Sequence, residues 1–148
     1  MKKVGVISLL IAFILLLVGC GEVELAVFES AEEIGNGVYA VIAEKTDDNF
    51  EWYCTADSLT QSILSVNLIY PEKYGEPTET ECISDGKKIS CSLQTGEQEG
   101  KRVVFFTLAA SYNSLDCEKE IIITQKFGRK KVKFRFIPKS VADLLEKV

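Results

Sequence analysis

An all-β fold of two antiparallel sheets is what this sequence predicts. Three observations predict it: short segments alternate apolar and polar side chains with a period of two, β-branched and aromatic residues fill them, and turn-forming residues separate them. The expected strands cover residues 23–28, 38–43, 50–54, 62–70, 80–84, 88–93, 102–110, 120–126 and 131–137. Between them stand Gly35-Asn36-Gly37, Thr46-Asp47-Asp48-Asn49, the Pro71 to Pro77 stretch, Asp85-Gly86, the Gly96 to Gly100 stretch and Phe127-Gly128, all of which favour turns.

Taken in order, the strands divide into central and peripheral ones. In the third, Phe50, Trp52 and Cys54 share one face while Glu51 and Tyr53 take the other, which places the single tryptophan in the core. The strands around Leu64-Val66-Leu68 and from Val103 to Leu108 are apolar on nearly both faces, as central strands are. In the last, Val132, Phe134 and Phe136 point inward while Lys131, Lys133 and Arg135 point outward. That basic ribbon protects a sheet edge from aggregation, and it is also a candidate contact for anionic lipid headgroups or an acidic partner. After Pro138, Val141, Leu144, Leu145 and Val148 recur at helical intervals, and Ser140 precedes Asp143 at capping-box spacing, so a short helix is expected over 138–148.

The first twenty residues are of another kind. After Met1-Lys2-Lys3 there is no charge from Val4 to Gly21, and Leu9 to Val18 is continuously apolar. A stretch of this length is close to the lower limit for spanning ~30 Å of hydrocarbon, but the strongly apolar part is as short as that of an export signal. Leu17-Val18-Gly19-Cys20 resembles the lipobox of secreted lipoproteins, with an aliphatic residue three before the cysteine and a small one next to it. The resemblance implies cleavage before Cys20, diacylation of its thiol and a place on the outer face of a membrane. Two acyl chains hold a protein on a bilayer where one gives only marginal binding. An uncleaved single-span anchor and a pilin-type leader cut near Gly5 are the alternatives; the latter would make the protein a filament subunit with a hydrophobic helix at its core.

The five cysteines are Cys20, Cys54, Cys82, Cys91 and Cys117. An odd number is awkward outside the cytoplasm, and assigning Cys20 to lipid leaves four for disulfides. The segment between Cys82 and Cys91 folds symmetrically about a Gly86-Lys87 turn of type II′, which sets Cys82 opposite Cys91 at a non-hydrogen-bonded pair, where side chains approach most closely. An Asp85-Gly86 turn of type I′ is the competing register and would set Cys82 opposite Ile89. Pairing Cys82 with Cys91 leaves Cys54 for Cys117. A metal site is disfavoured, because no two cysteines stand two to four residues apart and there is no histidine.

The stretches Val66-Asn67-Leu68-Ile69-Tyr70-Pro71, Cys82, Ile89-Ser90-Cys91-Ser92-Leu93 and Gly100-Lys101-Arg102-Val103-Val104-Phe105-Phe106-Thr107-Leu108 resemble the Ig-like and CARDB-type repeat domains of microbial surface proteins. Those domains run an aliphatic strand into proline, then a cysteine-bearing hairpin, then a glycine-led strand. Their usual Gly-x-Leu after the second cysteine is replaced by Gln94-Thr95-Gly96. The resemblance implies an Ig-like antiparallel sandwich at a cell surface and brings no catalytic residues.

Composition narrows function further. Without histidine, Ser-His-Asp and Cys-His catalysis are excluded. Acidic pairs such as Glu32-Glu33 and Asp47-Asp48 suit a solvated surface better than a glycosidase site, and Asp47-Asp48-Asn49 suits a polar turn better than a calcium loop. The net charge of −5, more negative still once Lys2 and Lys3 leave with the signal, argues against a nucleic-acid partner. The expected organisation is a lipoprotein signal over 1–19, an anchor cysteine with tether and first strand over 20–37, a β-sandwich over 38–137 and a terminal helix over 138–148. The expected function is that of a non-catalytic, cofactor-free binding or structural module of the cell envelope, bound to the membrane through Cys20, with another envelope protein as a candidate partner.

Overall fold

A computed structural model describes residues 23–148. The chain forms β1 (Phe28–Gly35), β2 (Val38–Ala43), β3 (Glu51–Asp57), β4 (Ser62–Tyr70), β5 (Glu79–Ser84), β6 (Lys87–Lys88), β7 (Cys91–Gln98), β8 (Lys101–Leu108), β9 (Ile121–Phe127), β10 (Lys130–Phe136) and α1 (Pro138–Leu145), with single 3-10 turns at Glu72–Tyr74 and Ala110–Tyr112. Two antiparallel sheets face each other across one core, a six-stranded sheet in the order β1-β2-β3-β4-β8-β7 and a four-stranded sheet in the order β10-β9-β5-β6. The all-β expectation holds, with one short helix at the end.

Tight turns set the registers. Gly35 pairs with Val38, Ser84 with Lys87 and Gln98 with Lys101, so each of these hairpins closes on two residues. Those residues are Asn36-Gly37, Asp85-Gly86 and Glu99-Gly100, all with positive φ, which is the type I′ geometry whose twist matches that of the flanking strands. The hairpin expected about Gly86-Lys87 therefore forms one residue earlier, because Asp85 at φ 51° accepts the left-handed conformation that a type I′ turn asks of its first residue. Cys82 then lies opposite Ile89, whose N–H donates to its carbonyl at 2.9 Å.

Other differences share a cause. The strand expected over 88–93 is divided: Lys87–Lys88 ends in the small sheet, and after Ile89-Ser90 the chain crosses to the large one, where β7 runs on to Gln98. In place of a strand over 23–28, Leu25 makes an isolated parallel bridge to Arg135, and β1 starts only at Phe28. Both β1 and β7 are edge strands, flanked on one side only, so they show little of the alternation that marks a strand packed between neighbours. The helix starts with Pro138 at its first turn and Ile137 as N-cap, so the expected capping box does not form. Ser140 lies inside the helix and donates its hydroxyl to the Ile137 carbonyl at 2.5 Å. Asp143 instead approaches Lys139 at 3.9 Å, a spacing of one helical turn.

Aromatic rings fill the space between the sheets. Trp52 from the large sheet stacks on Phe134 from the small one, centroids 4.6 Å apart and planes within 5°, with Phe106 on its own sheet at 5.9 Å. Phe28 meets Phe134 and Phe136 edge-on at 6.1 and 6.3 Å. Toward the other end Tyr70 lies 4.4 Å from Phe127, and Phe50 joins Phe127 to Tyr74. The Tyr70 hydroxyl donates to the Gly75 carbonyl at 2.9 Å, and Arg102 pairs with Glu76, so the segment after Pro71 is fastened over this end of the core. Helix α1 inserts the fully buried Val141 into the same core.

Phe134→Ala should lower the unfolding free energy by ~3–5 kcal/mol, the usual cost of emptying a buried aromatic site. Urea denaturation followed by the fluorescence of Trp52 measures it directly. Leu59→Ala, at a side chain 77% exposed, should change it by less than ~0.5 kcal/mol in the same assay.

Candidate functional site

Cys82 and Cys91 come together, although not across a hairpin. Cys82 points into the core from β5 and Cys91 opens β7 on the facing sheet, opposite Leu108, so the pair spans the point where the chain changes sheets. The four described cysteines are thiols in this structure. A hydrogen bond from Cys82 to the Cys91 sulfur, with burial adding to it, holds the Cys82 thiol well above its ordinary pKa. The same bond holds Cys91 below it, against the opposing effect of burial. Cys91 is therefore the more nucleophilic sulfur, half-exposed, with a second sulfur beside it.

Cys54 and Cys117 occupy different surroundings. Cys54 is fully buried in the middle of β3, between Val41 and Val66, and burial pushes its thiol up strongly. Cys117 is half-buried beyond β8, where its N–H donates to Ser114 and its carbonyl accepts from Lys139. No bridge or hydrogen bond joins their sulfurs here. Cys20 lies outside the described residues.

The basic ribbon is found where the alternation puts it, on the outward face of the edge strand β10. Lys131 is registered with Lys126 and, one strand further, with Glu79; Lys133 with Thr124 and Glu81; Arg135 with Ile122 and Ile83. Acids answer the bases across the sheet: Lys126 pairs with Glu79 at 3.3 Å, Lys88 with Glu81 at 3.6 Å and Arg135 with Glu120 at 2.6 Å. This outer face is thus a mixed-charge surface with its cations concentrated along one edge. Arg135 also donates from its Nη1 to the Val23 carbonyl at 3.0 Å, and the Ala26 N–H donates to the Arg135 carbonyl at 2.7 Å, so the chain before β1 is held against the basic strand.

A surface that sequence reasoning did not identify lies on the outer face of the large sheet. Ile42, Tyr53 and Ile69 form the floor of a groove of about 420 Å³, bounded by Ile34 and by Glu32 on one side and Gln98 on the other. The Tyr53 hydroxyl donates to Gln98 at 3.1 Å, spanning two intervening strands. Asn67, on β4 next to Tyr53 and entirely buried, donates to Thr55 on β3 at 3.0 Å. The clue in the sequence was the apolar content of both faces of β4 and β8, which marks a sheet whose second face is also partly covered.

Among the described residues no group of three or more acidic or cysteine side chains is placed to hold a metal ion. In the reduced protein Cys91 should be alkylated by iodoacetamide at a pH below the ordinary thiol range of about 8.5, because a lowered pKa makes the thiolate available at lower pH. Cys54 should stay unmodified until the protein unfolds. Cys82→Ala removes the hydrogen-bond donor and should move the midpoint of Cys91 alkylation to higher pH, as read by peptide mass spectrometry across a pH series. No family model, curated protein or solved structure matches this chain.

Proposed function

We propose that this protein is a lipid-anchored, non-catalytic binding or structural module of the cell envelope, held on the extracytoplasmic face of a membrane through Cys20. The observation that carries this reading is the way the folded body begins. Val23, three residues beyond the lipobox-like cysteine, and Ala26, six beyond it, are already fastened to Arg135. At ~3.5 Å per extended residue, an anchor at Cys20 leaves a tether of about 10 Å, so the domain rests against the bilayer instead of hanging from a long linker.

What that placement would bring to the membrane fits it. Leu25 and Val27, 42% and 60% exposed, lie next to the start of the body, and Lys131 and Lys133 run along the adjoining edge. Apolar side chains beside lysines are the combination that settles into an anionic interface, where each basic residue adds about 1 kcal/mol of attraction. The Cys82 and Cys91 sulfurs, adjacent across the two sheets, suit an oxidising compartment in which they would close a bridge. With no histidine in the chain, the groove over Ile42 and Ile69 is better suited to contact than to catalysis.

Substituting Cys20→Ser and fractionating cells tests the anchor. The expected outcome is loss of lipid labelling, retention of the leader and an increase in mass of the polypeptide part. A wild-type chain that carries no acyl groups by intact mass would refute the reading; one that also keeps Met1-Lys2-Lys3 would favour the single-span anchor, and one cut near Gly5 the filament subunit.

A further inference from the structure

Every open sheet must deal with its edge strands, whose unpaired N–H and C=O groups are a template for another strand. Three of the four edges here are protected. Strand β10 carries Lys130, Lys131 and Lys133 and has the chain around Leu25 and Ala26 bridged to it. Strand β1 carries Glu29, Glu32 and Glu33 and is interrupted by register shifts at two places. Strand β6 is only two residues long.

Strand β7 has none of these protections. It runs eight residues in unbroken register with β8, contains no proline or bulge, and has no charge from Cys91 to Gly96. Residues Ser92, Leu93, Gln94 and Thr95 are all exposed. The direction of its free groups follows from the pairing. The Ala109 N–H donates to the Ser90 carbonyl, and Ser90 and Ala109 stand one step beyond Cys91 and Leu108 in the same register. In an antiparallel ladder the hydrogen-bonded pairs alternate, so Ser92, Gln94, Gly96 and Gln98 face β8. The backbone groups of Cys91, Leu93, Thr95 and Glu97 therefore point out from the sheet.

We infer that β7 is a self-association edge, pairing antiparallel with β7 of a second copy about a two-fold axis at Gln94, so that the two large sheets become continuous. The sequence of the strand is what selects a second copy. With the axis at Gln94, the outward groups of Cys91 meet those of Glu97 in the other copy, and those of Leu93 meet those of Thr95. This satisfies the whole free row in one closed arrangement. No acid is set opposite an acid, although the chain as a whole is negative. The same operation directs Glu97 and Glu99, at the far end of the strand, toward the end where Lys87 and Lys88 project. Gln94 falls opposite Gln94 at a non-hydrogen-bonded pair, where side chains approach most closely and like charges oppose each other most strongly.

The test uses the full chain, extracted in detergent and examined by native mass spectrometry, and it does not depend on what is attached at Cys20. Wild-type protein should give a homodimer that grows with concentration. Gln94→Lys alone and Gln94→Glu alone should each be monomeric, because the axis sets each new charge against its own copy. An equal mixture of the two should recover a dimer containing one of each, distinguishable by mass. Thr95→Pro, which removes an outward N–H that β8 does not use, should also be monomeric while keeping the wild-type circular dichroism spectrum. A monomeric wild type at every concentration, single charge variants that dimerise as wild type does, or a mixture that gives no mixed dimer would each overturn the inference.

Discussion

The stacking of Trp52 on Phe134 is the contact on which the arrangement of the two sheets depends. It joins the third strand to the last across the interior at 4.6 Å, the two ring planes nearly parallel, and three further rings close around it. Stacked aromatic pairs contribute about 0.5–1.5 kcal/mol beyond the area they bury, and they do so only at defined offsets and angles. A core assembled from aliphatic residues alone could slide; one keyed by flat rings holds the sheets at one relative position. That position places the beginning of β7 against β5, and with it Cys91 beside Cys82.

How much of this was legible in the sequence depends on how much burial each segment experiences. Strands β2 and β4 begin and end where the alternation indicates, because both have neighbours on either side and a face in the core. Strand β7, Cys-Ser-Leu-Gln-Thr-Gly-Glu-Gln, has only Leu93 to betray an inward face. At such an edge, backbone pairing with one neighbour suffices, and the side chains need carry no signal. The Asp85-Gly86 turn was legible as a turn and misassigned by one residue, since glycine is compatible with either position and only the twist of the strands decides between them. The groove over Ile42 and Ile69 was legible only as the apolar content of both faces of β4 and β8; its place was not, because it is made by residues from distant strands whose order in the sheet no local pattern reveals.

The cysteines show how two sulfurs can come together by a path other than the one the sequence suggests. Symmetry about a Gly86-Lys87 turn sets Cys82 opposite Cys91; the turn forms elsewhere, the hairpin ends after two residues, and the two sulfurs still meet because the chain crosses between sheets at that point. The consequence is mechanical. A bridge across a hairpin would stiffen one sheet, whereas a bridge here would fasten one sheet to the other at the end of the core away from the tyrosine cluster. Cys54 has no comparable neighbour: its surroundings are Val41 and Val66 on the adjacent strands, and it behaves as a small apolar residue.

Charge distribution gives the domain an orientation that neither composition nor net charge reveals. The bases of β10 and the exposed Leu25 and Val27 occupy the edge from which the chain enters the fold, while β7, at one end of the large sheet, carries no base and a single acid, Glu97. On the lipid-anchored reading, the first of these edges faces the bilayer and tethering confines the molecules to a layer. Confinement raises effective concentration without adding any contact, so a strand pairing whose dimer grows with concentration in solution is populated more fully on a surface. An anchor at one edge and an unguarded strand at another are then complementary: the first raises the concentration on which the population of the second's dimer depends, and the acidic edge β1, with Glu29, Glu32 and Glu33 turned to solvent, disfavours adding a strand there and extending the sheet further.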